Sequence, residues 1–162
     1  MLISITGTPG TGKSSLAKLL RKRGFLVLDN KFFIKRFNIT LYYDKERETK
    51  VIDTEKLKKI IKLLKKRIKR LCFFESHLSH LFDSDLIIVL ERDLKDLKKE
   101  YLRRKYSELK IKENLEAEAF KICRIESIEI HGKNKVKIFN SYWRAYAFIV
   151  KKLKKGFKLK NT

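Results

Sequence analysis

The chain has 162 residues, of which 43% are hydrophobic and 37% are charged, and 41 Lys and Arg against 19 Asp and Glu give a net charge of +22. This composition excludes a disordered chain, and no apolar run approaches the roughly 20 residues that cross a bilayer. Two cysteines are too few for a disulfide framework, and no basic segment precedes the apolar N-terminus. We therefore expect one cytoplasmic domain over residues 1–162, with reduced thiols.

Short apolar runs alternate with segments of helical periodicity, which is typical of a parallel sheet covered by helices on both faces. The predicted strands are residues 2–6, 25–29, 71–75, 86–90 and 135–140. The predicted helices are residues 13–23, 54–70, 93–104, 107–127 and 141–155. Segments 30–53 and 103–113 are polar and predict irregular, mobile insertions, and the basic tail 156–162 is expected to fray. The sequence thus predicts an α/β fold with a five-stranded parallel sheet.

The segment Gly7–Ser14 matches the phosphate-binding pattern G-x-x-x-x-G-K-[ST] at every fixed position, between a predicted strand and a predicted helix. Its glycines let backbone N–H groups close around a phosphate at the helix N-terminus. We expect Lys13 to reach the β- and γ-phosphates, Ser14 to ligate Mg²⁺ and Ser15 to donate to the α-phosphate. The predicted ATP-binding residues of this loop are Gly10, Thr11, Gly12, Lys13, Ser14 and Ser15.

An acid and a histidine follow the third predicted strand, at the carboxyl edge where open α/β sheets bind ligands. We expect Glu75 to hold Mg²⁺ or one of its waters, and His77 to orient a water or to donate to phosphate. A solvated strand end and an ordinary loop histidine are the alternatives. His77 and His80 lie three residues apart, but no further ligands at finger-like spacing favour a zinc site.

Two segments concentrate the positive charge. Residues 56–70 carry nine basic and no acidic side chains, and residues 151–160 carry six lysines and no acid. Such an excess favours a polyanionic partner such as RNA, but the solvated faces of two amphipathic helices would show the same pattern. The aromatic residues of the last helix, Trp143 among them, are compatible with core packing and with base stacking.

Four strings, GTPGTGKSS, YYDKERE, ESHLSH and KIKENLEAEA, occur in this order and resemble the small adenylate kinase family called isoenzyme six, which has archaeal and eukaryotic nuclear members. The resemblance implies the fold of a P-loop nucleoside monophosphate kinase. It also implies transfer of phosphate from Mg²⁺-bound ATP to AMP or a related monophosphate, with slow ATP hydrolysis. A role in late maturation of the small ribosomal subunit is implied as well, with small-subunit ribosomal protein eleven and small-subunit rRNA as partners.

The resemblance also implies roles for individual positions. Residues 30–53 match the monophosphate-binding segment, and residues 103–113 match the lid, with Arg104 as the arginine over ATP. The implied catalytic residues are Lys13, Glu75, His77 and Arg104. The implied monophosphate-binding residues are Lys35, Arg36, Tyr43, Asp44 and Asp53.

The chain departs from the family pattern near the acceptor site. Relatives carry arginine directly after the fourth strand, where this chain has Glu91 followed by Arg92. The glycine that usually follows the lid arginine is Lys105, and the arginine of the monophosphate helix is Lys35. Ammonium and guanidinium groups differ as phosphate clamps, so these changes affect the acceptor site more than ATP binding. A metabolic kinase and a ribosome-assembly ATPase both stay open from the sequence.

Overall fold

The computed structural model describes residues 1–154, over which strands and helices alternate. The strands are Leu2–Thr6 (β1), Leu26–Asp29 (β2), Thr40–Asp44 (β3), Thr49–Ile52 (β4), Cys72–Glu75 (β5), Leu86–Leu90 (β6) and Val136–Phe139 (β7). The helices are Lys13–Lys22 (α1), Asn30–Phe37 (α2), Thr54–Arg67 (α3), Leu94–Arg103 (α4), Glu108–Ala119 (α5), Ile122–His131 (α6) and Tyr142–Lys154 (α7). The predicted tail 156–162 lies outside the described residues.

Five strands form one parallel sheet in the order β2-β5-β1-β6-β7, which confirms the predicted fold class. In the centre of the sheet, Ile3 pairs with Phe73 of β5 and Ile5 pairs with Ile88 of β6. Helices cover both faces, so the central strands consist mainly of buried apolar residues. All five strands end at one edge, and the loops that follow them meet there.

Each face of the sheet has its own apolar core. On one face, Leu16 of α1 and Ile149 of α7 pack against strand residues such as Ile5. On the other face, α2 and α3 cover β5, and α6 covers β6 and β7. Within residues 1–154, no helix is both long and apolar enough to span a membrane.

The prediction that segment 30–53 is irregular is wrong. It forms α2, whose first turn is capped by the Asp29 carboxylate, and then the antiparallel hairpin β3–β4. Residues with high strand propensity, such as Tyr42 and Val51, pair across this hairpin. The hairpin turn contains no glycine. Glu48 adopts the positive φ, 46°, for which such turns usually use glycine.

The prediction of one continuous helix over residues 107–127 is also wrong, because this segment forms two helices that meet at Lys121. The φ of Lys121 is 54°, a left-handed conformation that ends α5 and starts α6 in a new direction. The segment 103–113 is mostly helical and not irregular. Only the turn between α4 and α5 is non-helical, and Lys105 there has a φ of 56°, at the position where the family pattern has glycine.

The tip of the β3–β4 hairpin contacts α5. The Arg47 guanidinium donates to both carboxylate oxygens of Glu113, at 2.7 Å from Nη2 and 3.1 Å from Nε, and also donates to Asp44. Lys110 of α5 donates to the carbonyl oxygen of Glu48 at 3.4 Å. The β3–β4 hairpin is therefore joined to α5, the helix that follows the turn after α4.

Candidate nucleotide-binding site

A cavity of about 930 Å³ opens at the carboxyl edge of the sheet. Its wall is formed by the P-loop between β1 and α1, the end of β5, one side of α4 and the turn that leads into α7. The structure brings together the following predicted residues on this wall: Gly10, Thr11, Gly12, Lys13, Ser14, Ser15, Glu75, His77 and Arg104. The two halves of the predicted ATP site, which lie far apart in sequence, thus share one cavity.

The P-loop needs glycine at positions where its backbone is left-handed or closely packed. Gly7 has a φ of 135°, and a Cβ there would lie 2.2 Å from the carbonyl oxygen of Leu90. Gly12 has a φ of 101°, and a Cβ there would lie 3.0 Å from the ring of Tyr142. The loop can therefore follow this path only without side chains at these two positions.

The ammonium group of Lys13 lies inside the loop. Its Nζ donates to the carbonyl oxygens of Gly7 at 2.7 Å and Thr8 at 2.8 Å. Burial lowers the pKa of Lys13 to about 8, against the raising effect of the Glu75 carboxylate. At pH 7 the side chain therefore still carries its charge, and only two hydrogen bonds hold it to the loop.

The hydroxyl of Ser14 and the carboxylate of Glu75 face each other across the cavity floor, with Oγ and Oε1 3.3 Å apart. A hydroxyl and a carboxylate are hard oxygen ligands, and Mg²⁺ in phosphotransfer sites is usually held by one or two such groups together with substrate phosphates. The pair is therefore chemically suited to Mg²⁺.

His77 opens to the cavity but is neutral. The protein atoms around the ring desolvate it, and together with the positive charge of Lys13 they lower the pKa of His77 to about 4. His80 is instead buried and bonded to Thr6 and Glu126. Within residues 1–154, no group of three or more Cys, His, Asp and Glu side chains is placed to hold a metal ion.

Arg104 follows the last turn of α4 and lies on the cavity wall. Its Nε donates to Oε1 of Glu100 at 2.7 Å, and Nη2 of Arg103 donates to the same oxygen at 2.7 Å. These arginines, Arg103 first, lower the pKa of Glu100 to about 2. Of the two, only Arg104 lines the cavity.

The five residues matched to monophosphate binding do not line the cavity. Asp53 caps the first turn of α3 by accepting from the Lys56 amide at 2.8 Å, and Asp44 accepts from Arg47 in the hairpin turn. Lys35, Arg36 and Tyr43 are exposed on α2 and β3. On this side the cavity wall consists instead of Arg21, Asp29, Asn30 and Lys31.

Glu118 has a role in the site that the sequence did not predict. Its side chain is buried, with the residue 3% exposed, and it accepts from the Thr8 hydroxyl at 2.7 Å and from the Arg92 amide at 3.0 Å. Glu118 therefore ties α5 to the P-loop. The only signal was its place at the end of the KIKENLEAEA string.

Arg92 is the second residue of the site without a predicted role. Its Nη1 donates to the carbonyl oxygen of Gly10 at 3.1 Å, and its side chain lines the cavity beside Arg104. Glu91, which stands where relatives carry arginine, forms a bidentate ion pair with Arg124 of α6, with both contacts at 2.6 Å. The arginine after β6 that reaches the cavity is therefore one position further along the chain.

Comparisons with known proteins relate this chain to a family and to a fold. The family model described as AAA domain matches residues 3–121. A protein named "Putative adenylate kinase" from Methanocaldococcus jannaschii is 38% identical over 128 residues, covering 78% of this chain and 72% of that protein. One of the same name from Archaeoglobus fulgidus is 40% identical over 129 residues, covering 80% of this chain and 67% of that protein. A deoxyadenosine kinase from M. mycoides, solved with bound dATP, has a TM-score of 0.50 at 16% identity, covering 95% of this chain and all of that one, and shares the fold.

We predict that Glu118→Gln lowers the free energy of unfolding by about 1.5–3 kcal/mol, because the amide keeps only one acceptor oxygen for three donors, from Thr8, Arg92 and Lys121, and loses the charge. Glu116→Gln is the matched control, since Glu116 is exposed on the same helix and its substitution is expected to cost less than about 0.5 kcal/mol. Urea unfolding measures both. Equal losses in the two variants would contradict the tie between Glu118 and the P-loop.

Proposed function

This chain belongs to the archaeal adenylate kinase family that these relatives represent, and on that basis we propose that it transfers the γ-phosphoryl group of ATP to AMP or a related nucleoside monophosphate. One observation carries the proposal: a charged lysine, a hydroxyl–carboxylate pair and an arginine all face one cavity at the N-terminus of α1. These are the groups that phosphoryl transfer requires.

In the proposed reaction, a phosphate oxygen of the monophosphate forms a bond to the γ-phosphorus of ATP, and the bond from that phosphorus to the β-phosphate oxygen breaks. Both products are then nucleoside diphosphates. The Lys13 ammonium group donates two of its three hydrogens to loop carbonyls and would donate the third to a phosphate oxygen, and the P-loop N–H groups would hold the β-phosphate. Ser14 and Glu75 would hold Mg²⁺, which would supply positive charge to offset that of the phosphate groups.

The acceptor would enter the side of the cavity bounded by Arg21 and Lys31. Both are exposed cations, and Arg21 is already paired with Asp29 at 3.0 Å. Lys35, Arg36, Tyr43, Asp44 and Asp53 stay predictions as acceptor ligands. At present Asp44 accepts hydrogen bonds in the hairpin turn, and Asp53 accepts one at the start of α3.

We predict that Lys13→Ala reduces ADP formation from ATP and AMP by at least about 100-fold, because it removes a charge that faces the developing negative charge of the transferred group. Lys18→Ala, at an exposed position of the same helix, is the matched control and keeps full activity. The assay measures ADP and inorganic phosphate with and without AMP, and circular dichroism checks folding. Normal ADP formation by a folded Lys13→Ala protein would contradict the proposal.

We also predict that Arg104→Ala lowers kcat about 10- to 100-fold with a smaller change in KM for ATP, because Arg104 meets the charge that develops in the transition state. Arg103→Ala is the control, since Arg103 also donates to Glu100 but does not line the cavity, and we expect its kcat within twofold of the parent. Similar losses in both variants would mean that the arginines act only through Glu100.

The net charge of +22 favours a second activity, in which ATP hydrolysis serves assembly of the small ribosomal subunit. No residue of α3 lines the nucleotide cavity, and Lys58, Lys59, Lys62 and Lys66 are exposed on this helix. Lys65 differs from these, because it pairs with Asp83 and Asp85 at 2.8 and 3.0 Å. The exposed lysines are the part of α3 that is free to contact rRNA phosphates.

We predict that changing Lys58, Lys59, Lys62 and Lys66 to Gln weakens binding to purified archaeal small ribosomal subunits. The plot of log affinity against log salt concentration should become less steep by about 3 units, since each lost phosphate contact removes about 0.7–0.9 from the magnitude of its slope. The control removes four exposed lysines elsewhere, Lys95, Lys98, Lys99 and Lys112. ADP formation stays unchanged in both variants. Equal weakening by both would indicate a general effect of charge, and no weakening by either would leave these lysines as solvated surface. Phosphate release that AMP does not reduce would favour the ATPase over the kinase.

A further inference from the structure

A chain of buried polar contacts runs beneath the cavity, from α6 through β1 to the loop that carries His77. His80 is 2% exposed, and its Nε2 lies 2.7 Å from Oε2 of Glu126 while its Nδ1 lies 2.7 Å from Oγ1 of Thr6. Thr6 Oγ1 lies 3.1 Å from the carbonyl oxygen of His77. Because Thr6 directly precedes Gly7, the chain of contacts joins the start of the P-loop to the loop of His77.

The number of available hydrogens decides which of these contacts form together. Thr6 has one hydroxyl hydrogen, and the His77 carbonyl can only accept, so a bond between them uses that hydrogen. Thr6 must then accept from His80, which requires a hydrogen on Nδ1. All three contacts therefore form together only when His80 and Glu126 carry one extra proton between them. The reference is a neutral imidazole ring beside an ionised carboxylate. With the neutral ring protonated on Nε2, the Thr6 hydrogen goes to Nδ1 and the His77 carbonyl loses its donor.

We propose that His80 is a positioning residue of the nucleotide site: the proton shared by His80 and Glu126 decides, through the Thr6 hydroxyl, whether the His77 carbonyl is tied to β1. This inference rests on the proposed function only in taking His77 as part of the reacting site. His80 itself does not line the cavity.

The groups around His80 determine in which direction its pKa is shifted. Burial lowers the pKa of His80, the Glu126 carboxylate on α6 raises it, and His131 at the end of the same helix lowers it. His131 also donates from Nε2 to the His80 carbonyl at 2.6 Å. His77, on the same loop, is neutral at pH 7. Because the pKa of His80 is below its usual value near 6.5, the ring is neutral at pH 7, and acidification passes the Thr6 hydrogen to His77.

The test follows the carbonyl carbon of His77 by NMR, in the full chain without nucleotide, between pH 4 and 8. In the parent protein and in Thr6→Ser, which keeps the hydroxyl, we expect this signal to change with the same midpoint as the His80 ring. In Thr6→Val, which has no hydroxyl, the change at that midpoint disappears. A His77 signal that still follows His80 in a folded Thr6→Val protein would overturn the proposal.

A second variant keeps the test decisive if Thr6→Val does not fold. Glu126 is half-exposed, and Glu126→Gln removes the charge that raises the pKa of His80, so the His80 transition should move to lower pH. The His77 transition should move with it, or disappear where the Gln amide donates to Nε2 and keeps the neutral ring protonated on Nδ1. A His77 transition that stays in place while that of His80 moves would overturn the proposal. Neither measurement uses turnover, so failure of the kinase assay and failure of this inference remain distinguishable.

The consequence for the reaction is a separate readout. We expect Thr6→Val to lower kcat about tenfold while KM for ATP stays within twofold, because the P-loop amides that bind ATP are unchanged and only the His77 loop is released. Thr6→Ser restores kcat. A loss of stability alone, with normal kcat in the folded fraction, would mean that the chain of contacts is structural and would overturn the positioning role.

Discussion

The P-loop can present its N–H groups to a phosphate because its carbonyl groups are bonded on the opposite side. Lys13 binds the carbonyl oxygens of Gly7 and Thr8, Tyr101 of α4 donates to that of Pro9 at 2.6 Å, and Arg92 donates to that of Gly10. An unpaired buried carbonyl is costly, so these donors fix the orientation of each peptide plane. The loop is therefore shaped by α4 and by the segment that follows β6 as much as by its own glycines.

The P-loop side of the cavity could be predicted because its backbone path depends on a short stretch with few allowed residues. Only glycine can occupy positions 7 and 12, where a Cβ would collide with Leu90 and Tyr142. Glu75 and His77 reach the same cavity because parallel strands end at one edge of the sheet. The three central strands, β1, β5 and β6, could likewise be predicted from their apolar runs, since residues buried on both faces of a sheet leave little choice of side chain.

The contacts that hold the site together could not be predicted, because they join residues that are distant in sequence. Thr8 and Glu118 are separated by 110 positions, and Gly10 and Arg92 by 82. Nothing in the local pattern distinguishes Glu118 from the exposed Glu116 two positions earlier. The hairpin turn and the break between α5 and α6 could not be predicted for another reason. Glu48 and Lys121 adopt left-handed conformations there, and such positions are usually occupied by glycine or asparagine.

The bidentate pair of Arg47 and Glu113 has a mechanical consequence. It fastens the tip of the β3–β4 hairpin to α5, and α5 is fastened at its other end to the P-loop by Glu118. A hairpin tethered in this way cannot swing toward the acceptor side without pulling the helix that follows Arg104 or breaking the tether. The hairpin and α5 thus move as one linkage, which is released when the Arg47–Glu113 pair and the longer Lys110–Glu48 contact break. Because the Arg47–Glu113 pair is half-exposed, its contribution to this linkage falls as the ionic strength rises.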